Sequence, residues 1–401
     1  MSIRVPPASI RPTIPAGSPE TSRATPRNTL RNAPAAEVTS RRMAGAQGSR
    51  AERVLPRPPQ EVLAHRVASE QARDLVEATK TFEHVRDLVQ GDHPVGRKLW
   101  APLYKLLPKG SADEGGWALR EGPPTRDRTA SFDAAFNAVK AGASVLPPEA
   151  ADFTYLVVPG FMGEQIPTYM DAHVNRLRER GLEAQQVAIE TEAGVEDNAR
   201  VVRDAILEAA KDGRQVVLLG HSKGGLDITA ALSLYPELKP HVRAVATMQT
   251  PYGGTPLASD LNAFGPLRWL VGNVLERLGG SGDSMRDLTY AQRQKFLAEH
   301  PYPQDIPTVS MATSDTSLTS VFATTTNYMA NRYGWASDGM VPTQDQIIPG
   351  SDVVHVQGVD HAEAGIDGPG PLVSHKASDL TEALIAIALQ TQAPAKPRAA
   401  A

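Results

Sequence analysis

Short apolar runs alternate with longer amphipathic segments through most of the chain after residue 150. The runs have the length of buried strands, and the segments have the spacing of helices. The predicted strands span residues 153–158, 187–189, 216–219, 242–248, 307–311 and 353–356, and the predicted helices span 165–180, 201–210, 226–234 and 380–389. Strands that alternate with helices build a mainly parallel sheet with helices on both faces. The pattern predicts an α/β domain over residues 151–390.

The flanking segments have different patterns. Residues 1–58 are rich in Pro, Ala, Ser, Thr and Arg and contain only three acidic residues. Such a segment buries too little apolar surface to offset the entropy cost of ordering, so we expect a disordered basic leader. Residues 59–150 contain apolar positions at helical spacing and a cluster around Trp100, which predicts a helical segment that packs on the main domain. Residues 391–401 are expected to form a disordered tail.

The composition excludes several classes of function. The 401-residue chain has no cysteine and a formal net charge of -4. Without cysteine there is no disulfide, no thiolate catalysis and no Cys-ligated metal. The charge argues against a nucleic-acid partner, and no apolar run approaches the roughly 18 residues of a membrane span. We therefore expect no nucleic-acid partner and no transmembrane segment.

The stretch 215–225 carries the clearest chemistry. A predicted buried strand meets Gly220-His-Ser-Lys-Gly224, and a predicted helix follows. This context is that of a nucleophile elbow, whose tight turn projects the serine hydroxyl above the sheet. Glycines at both ends of the motif remove Cβ atoms that would collide there. The motif predicts Ser222 as a catalytic nucleophile, and the alternative is a Gly-rich turn with an incidental serine.

A serine nucleophile needs an adjacent base, and the base needs an orienting carboxylate. His361 lies just beyond the last predicted strand, where this arrangement places its base. His375 is the alternative, although it falls within or near the last helix. His221 belongs to the elbow and is expected to support the turn rather than transfer protons.

The acid has several candidates. Asp338 lies in Ser337-Asp-Gly-Met-Val-Pro342, between the last two predicted strands, and this turn aims a carboxylate in a fixed direction. Asp315 follows the preceding strand more closely, but it also fits the N-cap of a Ser/Thr-rich helix. Asp345 and Asp360 remain open. We predict Asp338.

The oxyanion of an acyl-transfer transition state needs two preorganised N–H donors. The residue after the nucleophile, Lys223, supplies one, and Phe161 in the turn after the first strand of the domain supplies the other. Gly160 and Gly163 allow that backbone to approach a substrate. The Gly-rich turn matches neither phosphate-binding nor dinucleotide-binding motifs, so no cofactor is predicted. No cluster of oxygen ligands predicts a metal.

Residues 152–390 resemble α/β-hydrolases of the lipase and esterase kind. The pieces similar to bacterial lipases are the elbow, Thr250-Pro-Tyr-Gly-Gly-Thr-Pro-Leu-Ala258, Ser337–Pro342 and Asp360-His361. Plant hydrolases of unassigned substrate are similar in Gly220–Asp227, Leu234–Leu238 and Asp287–Tyr290. One departure is Pro159, where many lipases have His before the oxyanion glycine. The resemblance implies an α/β-hydrolase fold and ester hydrolysis.

An insertion at about 259–300 has apolar side chains at helical spacing between Phe264 and Leu278. It is either a core helix or the helical lid that this fold often carries at that position. A lid would cover an apolar acyl pocket and make transient contact with a lipid surface. We therefore predict a small-molecule or lipid ester as the substrate.

Three functions remain open from the sequence. The first is a serine carboxylic-ester hydrolase, the second an acyltransferase on the same triad, and the third a non-catalytic binding or effector protein on a hydrolase fold. The basic leader lacks a secretory h-region, so no Sec-type export is expected. Its composition suits the leader of a bacterial effector secreted into a host cell by a type III route, or an organellar transit peptide; otherwise we expect a cytoplasmic protein.

Overall fold

The computed structural model describes residues 114–161, 163, 166, 168–263, 282–317, 320–367 and 375–392. Several predicted features lie outside these residues. They are the leader 1–58, the part of the helical segment before residue 114, the apolar stripe 264–278 of the predicted lid, and the tail after residue 392.

In the described part of the chain, seven strands form one sheet in the order β1-β7-β6-β5-β4-β2-β3. Every neighbouring pair is parallel. The strands are β1 Arg126–Asp127, β2 Thr154–Val158, β3 Glu183–Gln186, β4 Val216–His221, β5 Val242–Met248, β6 Thr308–Ser314 and β7 Asp352–Gln357. Central strands of such a sheet are buried on both faces, and all residues of β2 and β4 are buried. The carboxyl ends of the strands share one edge.

Helices cover both faces of the sheet. They are α1 Trp117–Glu121, α2 Thr129–Lys140, α3 Asp171–Glu179, α4 Val195–Ala209, α5 Lys223–Leu234, α6 Pro256–Ala263, α7 Gly282–Asp287, α8 Tyr290–Glu299, α9 Ala323–Tyr333 and α10 Ala377–Gln390. Successive strand residues point to opposite faces. Val217 and Leu219 of β4 therefore pack in one core cluster with α3 and α10, whereas Val216 and Leu218 pack in another with α4 and α5. The prediction of a parallel sheet between two helical layers is confirmed.

Three predicted elements have different bounds in the structure. The strand predicted at 187–189 lies earlier, at β3, and the apolar residues Val187 and Ile189 are buried in the segment that follows it. Among the described strands, β3 lies at the edge of the sheet and pairs with β2 alone, so it needs no continuous apolar run. The helix predicted over 165–180 begins only at Asp171, because the backbone just before it adopts positive φ at Thr168 and Met170.

The helix predicted over 201–210 begins earlier, at Val195. Its first N–H groups have no partner within the helix, and one of them, that of Val195, donates to Asp287 Oδ2 at 2.8 Å. Glu196 and Asp197 in the first turn complement the positive end of the helix dipole. Because the first turn carries these polar residues, apolar periodicity does not reveal where the helix begins.

The sheet also includes residues before position 151. β1 pairs with β7, and Arg126 makes two hydrogen bonds of 2.8 and 2.7 Å to the carboxylate of Asp352. Phe132 and Phe136 of α2 lie in the core.

In the predicted lid region, α8 buries Tyr290 and Phe296, so the C-terminal end of that region packs in the body of the fold. Among the described residues, no helix is long and apolar enough to cross a bilayer.

Candidate active site

Ser222 occupies the sharp turn between β4 and α5. Its backbone has φ 54° and ψ -129°, a conformation that non-glycine residues rarely adopt. The turn is held by a hydrogen bond of 2.9 Å from the Ser222 N–H to the carbonyl of Met248, at the end of β5. Strained backbone of this kind persists only where its surroundings determine it, and it is typical of functional sites.

The glycines of the elbow are required by close packing. A Cβ on Gly224 would lie 2.2 Å from the carbonyl oxygen of Val158, at the end of β2. A Cβ on Gly220 would lie 2.7 Å from the backbone of Gly225. These approaches hold α5 against the sheet with its N-terminus directly behind Ser222, as the motif predicts.

The structure brings Ser222, His361 and Asp338 together. Ser222 Oγ lies 2.9 Å from His361 Nε2, and His361 Nδ1 lies 2.7 Å from Asp338 Oδ2. The serine follows β4, the histidine follows β7, and the aspartate lies in the loop between β6 and β7. Parallel strands place these three loops at one edge of the sheet, which is where α/β folds bind ligands.

The turn around Asp338 aims its carboxylate. Oδ1 accepts hydrogen bonds from the N–H groups of Met340 at 2.8 Å and Val341 at 2.7 Å, which leaves Oδ2 facing His361. Gly339 has φ 98°, and a Cβ there would lie 2.1 Å from the Cβ of Phe322. The Asp338 carbonyl also accepts the N–H of His361 at 3.0 Å. Both the carboxylate and the histidine loop are thereby held in place.

The carboxylates of the other candidate acids have different hydrogen-bond partners. Asp315 accepts the backbone N–H two residues ahead in its own loop, at 3.0 Å, and the following helix starts only at α9. Asp345 accepts the hydroxyl of Tyr290 at 2.9 Å. Asp360 accepts N–H groups of the turn that follows it. Of the four candidate acids, all of them among the described residues, only Asp338 is hydrogen-bonded to the ring of His361.

His375, the alternative to His361 as the base, has a different environment. His375 stacks on Phe136 with a centroid separation of 5.3 Å, just before α10. Burial lowers the pKa of His375. Its aromatic partner indicates a packing role.

His221 supports the elbow, and its partners were not apparent in the sequence. Its Nδ1 lies 2.5 Å from the hydroxyl of Tyr169, and its Nε2 lies 2.8 Å from Oε1 of Gln249. The ring is buried, with its centroid 4.9 Å from that of His361. Burial, together with the nearby His361, lowers the pKa of His221 well below its usual value. No local motif marks Tyr169 or Gln249, because both reach His221 only through the fold.

The two predicted oxyanion donors flank the serine. Lys223 is the first residue of α5, where a backbone N–H has no partner within the helix and the helix dipole favours negative charge. Phe161 follows Pro159-Gly160 in the turn after β2. A Cβ on Gly160 would lie 2.8 Å from the Cβ of Ser222, so this turn passes close to the nucleophile.

The side chain of Lys223 has a separate role. It is fully buried, and its Nζ lies 3.0 and 3.1 Å from the carboxylate oxygens of Asp227, one helical turn further along α5. Asn198 of α4 donates to the same carboxylate at 3.1 Å. The i,i+4 spacing is the signal that sequence reasoning missed. The described residues contain no cluster of His, Asp or Glu side chains that would hold a metal ion.

Comparisons with known proteins agree with this architecture. No protein-family model and no curated protein sequence matches the chain. Among solved structures, a metagenomic carboxyl esterase, MGS0156, is 20% identical with a TM-score of 0.55, over 74% of this chain and 98% of that chain.

Two bacterial lipases are similar at lower TM-scores. The mature Bacillus licheniformis lipase BlEst2 is 23% identical with a TM-score of 0.44, over 55% of this chain and 89% of its own. The Staphylococcus hyicus lipase is 17% identical with a TM-score of 0.46, over 60% of this chain and 96% of its own. The likeness to the carboxyl esterase, together with the parallel sheet and its two helical layers, shows that the chain has the α/β-hydrolase fold.

Proposed function

We propose that the protein is a serine carboxylic-ester hydrolase that forms an acyl-enzyme on Ser222. The observation that carries the proposal is the hydrogen-bonded line Ser222–His361–Asp338 at a strained elbow. Nucleophile, base and orienting carboxylate in that geometry are the arrangement that activates serine for acyl transfer. A turn with a purely structural role would not require these three hydrogen-bonded side chains.

The chemistry follows from the positions of the three side chains. His361 Nε2 accepts the proton as Ser222 Oγ attacks the ester carbonyl carbon, and Asp338 stabilises the imidazolium that forms. The carbonyl oxygen becomes an oxyanion, which the backbone N–H groups of Lys223 and Phe161 stabilise. The alcohol then leaves with the proton from His361. Water, activated by the same histidine, attacks the acyl-enzyme, releases the acid and restores Ser222.

Apolar side chains next to the base support an ester with an apolar acyl chain. Phe322 meets the His361 ring edge-on, with centroids 6.0 Å apart. Met340, two residues after Asp338, is only partly buried and packs against the core. Small-molecule sites are usually lined by apolar groups with a few fixed polar ones. The carboxyl esterase that the fold resembles is named for the same class of reaction.

Labelling with a fluorophosphonate tests the proposal. We expect one adduct, located on Ser222 by mass spectrometry, and no adduct in Ser222→Ala. A panel of short-chain esters, long-chain glycerides and phospholipids then defines the substrate. A folded wild-type chain that neither reacts with the probe nor turns over any ester would refute the proposal.

A further inference from the structure

Backbone strain is concentrated in three loops around His221. Among the described residues, the non-glycine residues with positive φ are Thr168, Met170, Ser222 and Gln249, with φ between 53° and 65°. The first two flank Tyr169, the third follows His221, and the fourth lies just after β5. Such conformations persist where the surroundings over-determine them. The hydrogen bonds among Tyr169, His221 and Gln249 join these loops.

The direction of those hydrogen bonds can be read from one end. The carbonyl of Asp360 can only accept, so the atom of Gln249 that faces it at 2.9 Å is the amide Nε2. The amide oxygen Oε1 of Gln249 therefore faces His221 Nε2, which must carry a hydrogen to donate. A neutral imidazole has one ring hydrogen, so Nδ1 of His221 is an acceptor.

The other end agrees with this direction. The N–H of Gly160 donates to the Tyr169 oxygen at 3.1 Å, and the Tyr169 hydroxyl then donates its own hydrogen to His221 Nδ1. Burial raises the pKa of Tyr169, so the phenol keeps its proton. The titratable side chains that act on His221 are Tyr169, His361 and His173, and none of them is a carboxylate that would favour a charged imidazole.

Three residues of this hydrogen-bond network each lie one position before a proposed catalytic residue. Gly160 precedes Phe161, Asp360 precedes His361, and His221 itself precedes Ser222. The His221 ring thus links three segments: the turn that carries Phe161 (the oxyanion turn), the loop that carries His361 (the histidine loop) and the elbow.

Close packing reinforces the arrangement. A Cβ on Gly365, in the histidine loop, would lie 2.6 Å from the Tyr169 ring and 3.2 Å from the His221 ring. The backbone carbonyl of Gly365 also accepts the N–H of Met170 at 3.1 Å.

We propose that Tyr169, His221 and Gln249 form a positioning relay, in which a neutral His221 with its hydrogen on Nε2 holds the oxyanion turn and the His361 loop in register with Ser222. The three residues do not touch the substrate. The inference rests on the proposed ester hydrolysis, because register matters only if these loops act on one substrate.

The tautomer of His221 tests the relay without reference to activity. The full chain with Ser222→Ala, labelled with nitrogen-15 in its imidazoles, is measured by nuclear magnetic resonance, and His221→Gln in the same background identifies the signal. We expect a hydrogen on Nε2 and no titration between about pH 5 and 8, the range in which an ordinary histidine changes charge. A hydrogen on Nδ1, or titration within this range, would overturn the relay.

A matched pair of tyrosine variants tests its effect on turnover. Tyr169→Phe keeps the ring and removes the hydroxyl, and we expect kcat to fall about tenfold with KM unchanged, the effect of one lost hydrogen bond on the transition state. Tyr155→Phe is the control, because that buried hydroxyl donates to a backbone carbonyl, that of Ala150, at 2.8 Å. Equal kcat values in the two variants would contradict the proposal.

The two proposals fail in different ways. A wild-type chain without ester turnover would overturn the proposed function, and the tautomer measured in Ser222→Ala would still decide the relay. An active wild-type chain with a His221 hydrogen on Nδ1 would overturn the relay alone.

Discussion

His221 and His361 lie side by side but have opposite environments. His361 has a carboxylate on one ring nitrogen and the Ser222 hydroxyl on the other, and its side chain is 12% exposed. His221 has a phenol and an amide in these places and is buried. A carboxylate stabilises an imidazolium, whereas neutral partners in a buried site disfavour it. The partners, and not the residue type, make one ring a candidate base and the other a fixed connector.

Replacing each histidine by glutamine should give the largest contrast. His361→Gln removes the proposed base, and we expect kcat on a short-chain p-nitrophenyl ester to fall about a million-fold, the loss expected when a triad histidine is removed. His221→Gln removes only a positioning contact and should cost about tenfold. Steady-state kinetics on purified, folded variants measures both. Equal losses would show that the two rings do not have the separate roles assigned here.

The carboxylate that distinguishes His361 can be removed separately. Asp338→Asn keeps the shape of the turn but no longer favours the imidazolium, so we expect kcat to fall about 10⁴-fold. Asp315→Asn is the matched control, because the carboxylate of Asp315 accepts the N–H of Ser317 in its own loop. Its turnover should stay near that of the wild type, and the reverse ranking would move the acid to Asp315.

The side chain of Lys223, the residue after Ser222, should affect the stability of the fold more than turnover. Lys223→Met leaves the carboxylate of Asp227 buried without its cation, which should lower the free energy of unfolding by about 3–5 kcal/mol. The double variant Lys223→Met/Asp227→Leu should recover most of this loss. Denaturant unfolding measures both. A double variant as unstable as the single one would show that the loss does not come from the unpaired carboxylate of Asp227.

Protonation of His221 should give the smallest effect, seen as a pH dependence of stability. Its pKa is lowered in the folded state, so below the ordinary value of about 6.5 the unfolded chain binds more protons. The free energy of unfolding contributed by this group is therefore complete above about pH 6.5. It falls by up to about 1.4 kcal/mol per unit as the pH decreases below that value.

Subtracting the curve of His221→Gln isolates this contribution. The other buried groups are common to both proteins, among them His173, whose pKa burial lowers to about 4, and Asp345, whose pKa burial raises to about 7. Denaturant unfolding between about pH 5 and 7.5 measures the difference. A difference that does not change with pH would show that His221 titrates alike in both states.

Local patterns in the sequence were sufficient for the fold class and for the residues that meet at Ser222. The elbow depends on neighbouring residues, because β4, the turn and α5 are contiguous and the glycines stand where Cβ atoms would collide. The turn around Asp338 is equally local, since its carboxylate bonds to the N–H groups two and three residues ahead. His361 was located by its place after the last strand, because parallel strands end at one edge of the sheet.

The edge strands and the relay depend on tertiary structure. β3 and β1 lie at the borders of the sheet, where one neighbour suffices and no apolar pattern is needed. Tyr169 and Gln249 are distant in sequence from His221, and no periodicity predicts that their polar atoms face its two ring nitrogens. A hydrogen bond between distant residues depends on strand order and on the positive φ of the adjoining turns. The sequence alone determined which residues are candidates for the chemistry, and the tertiary contacts decided how those residues are oriented.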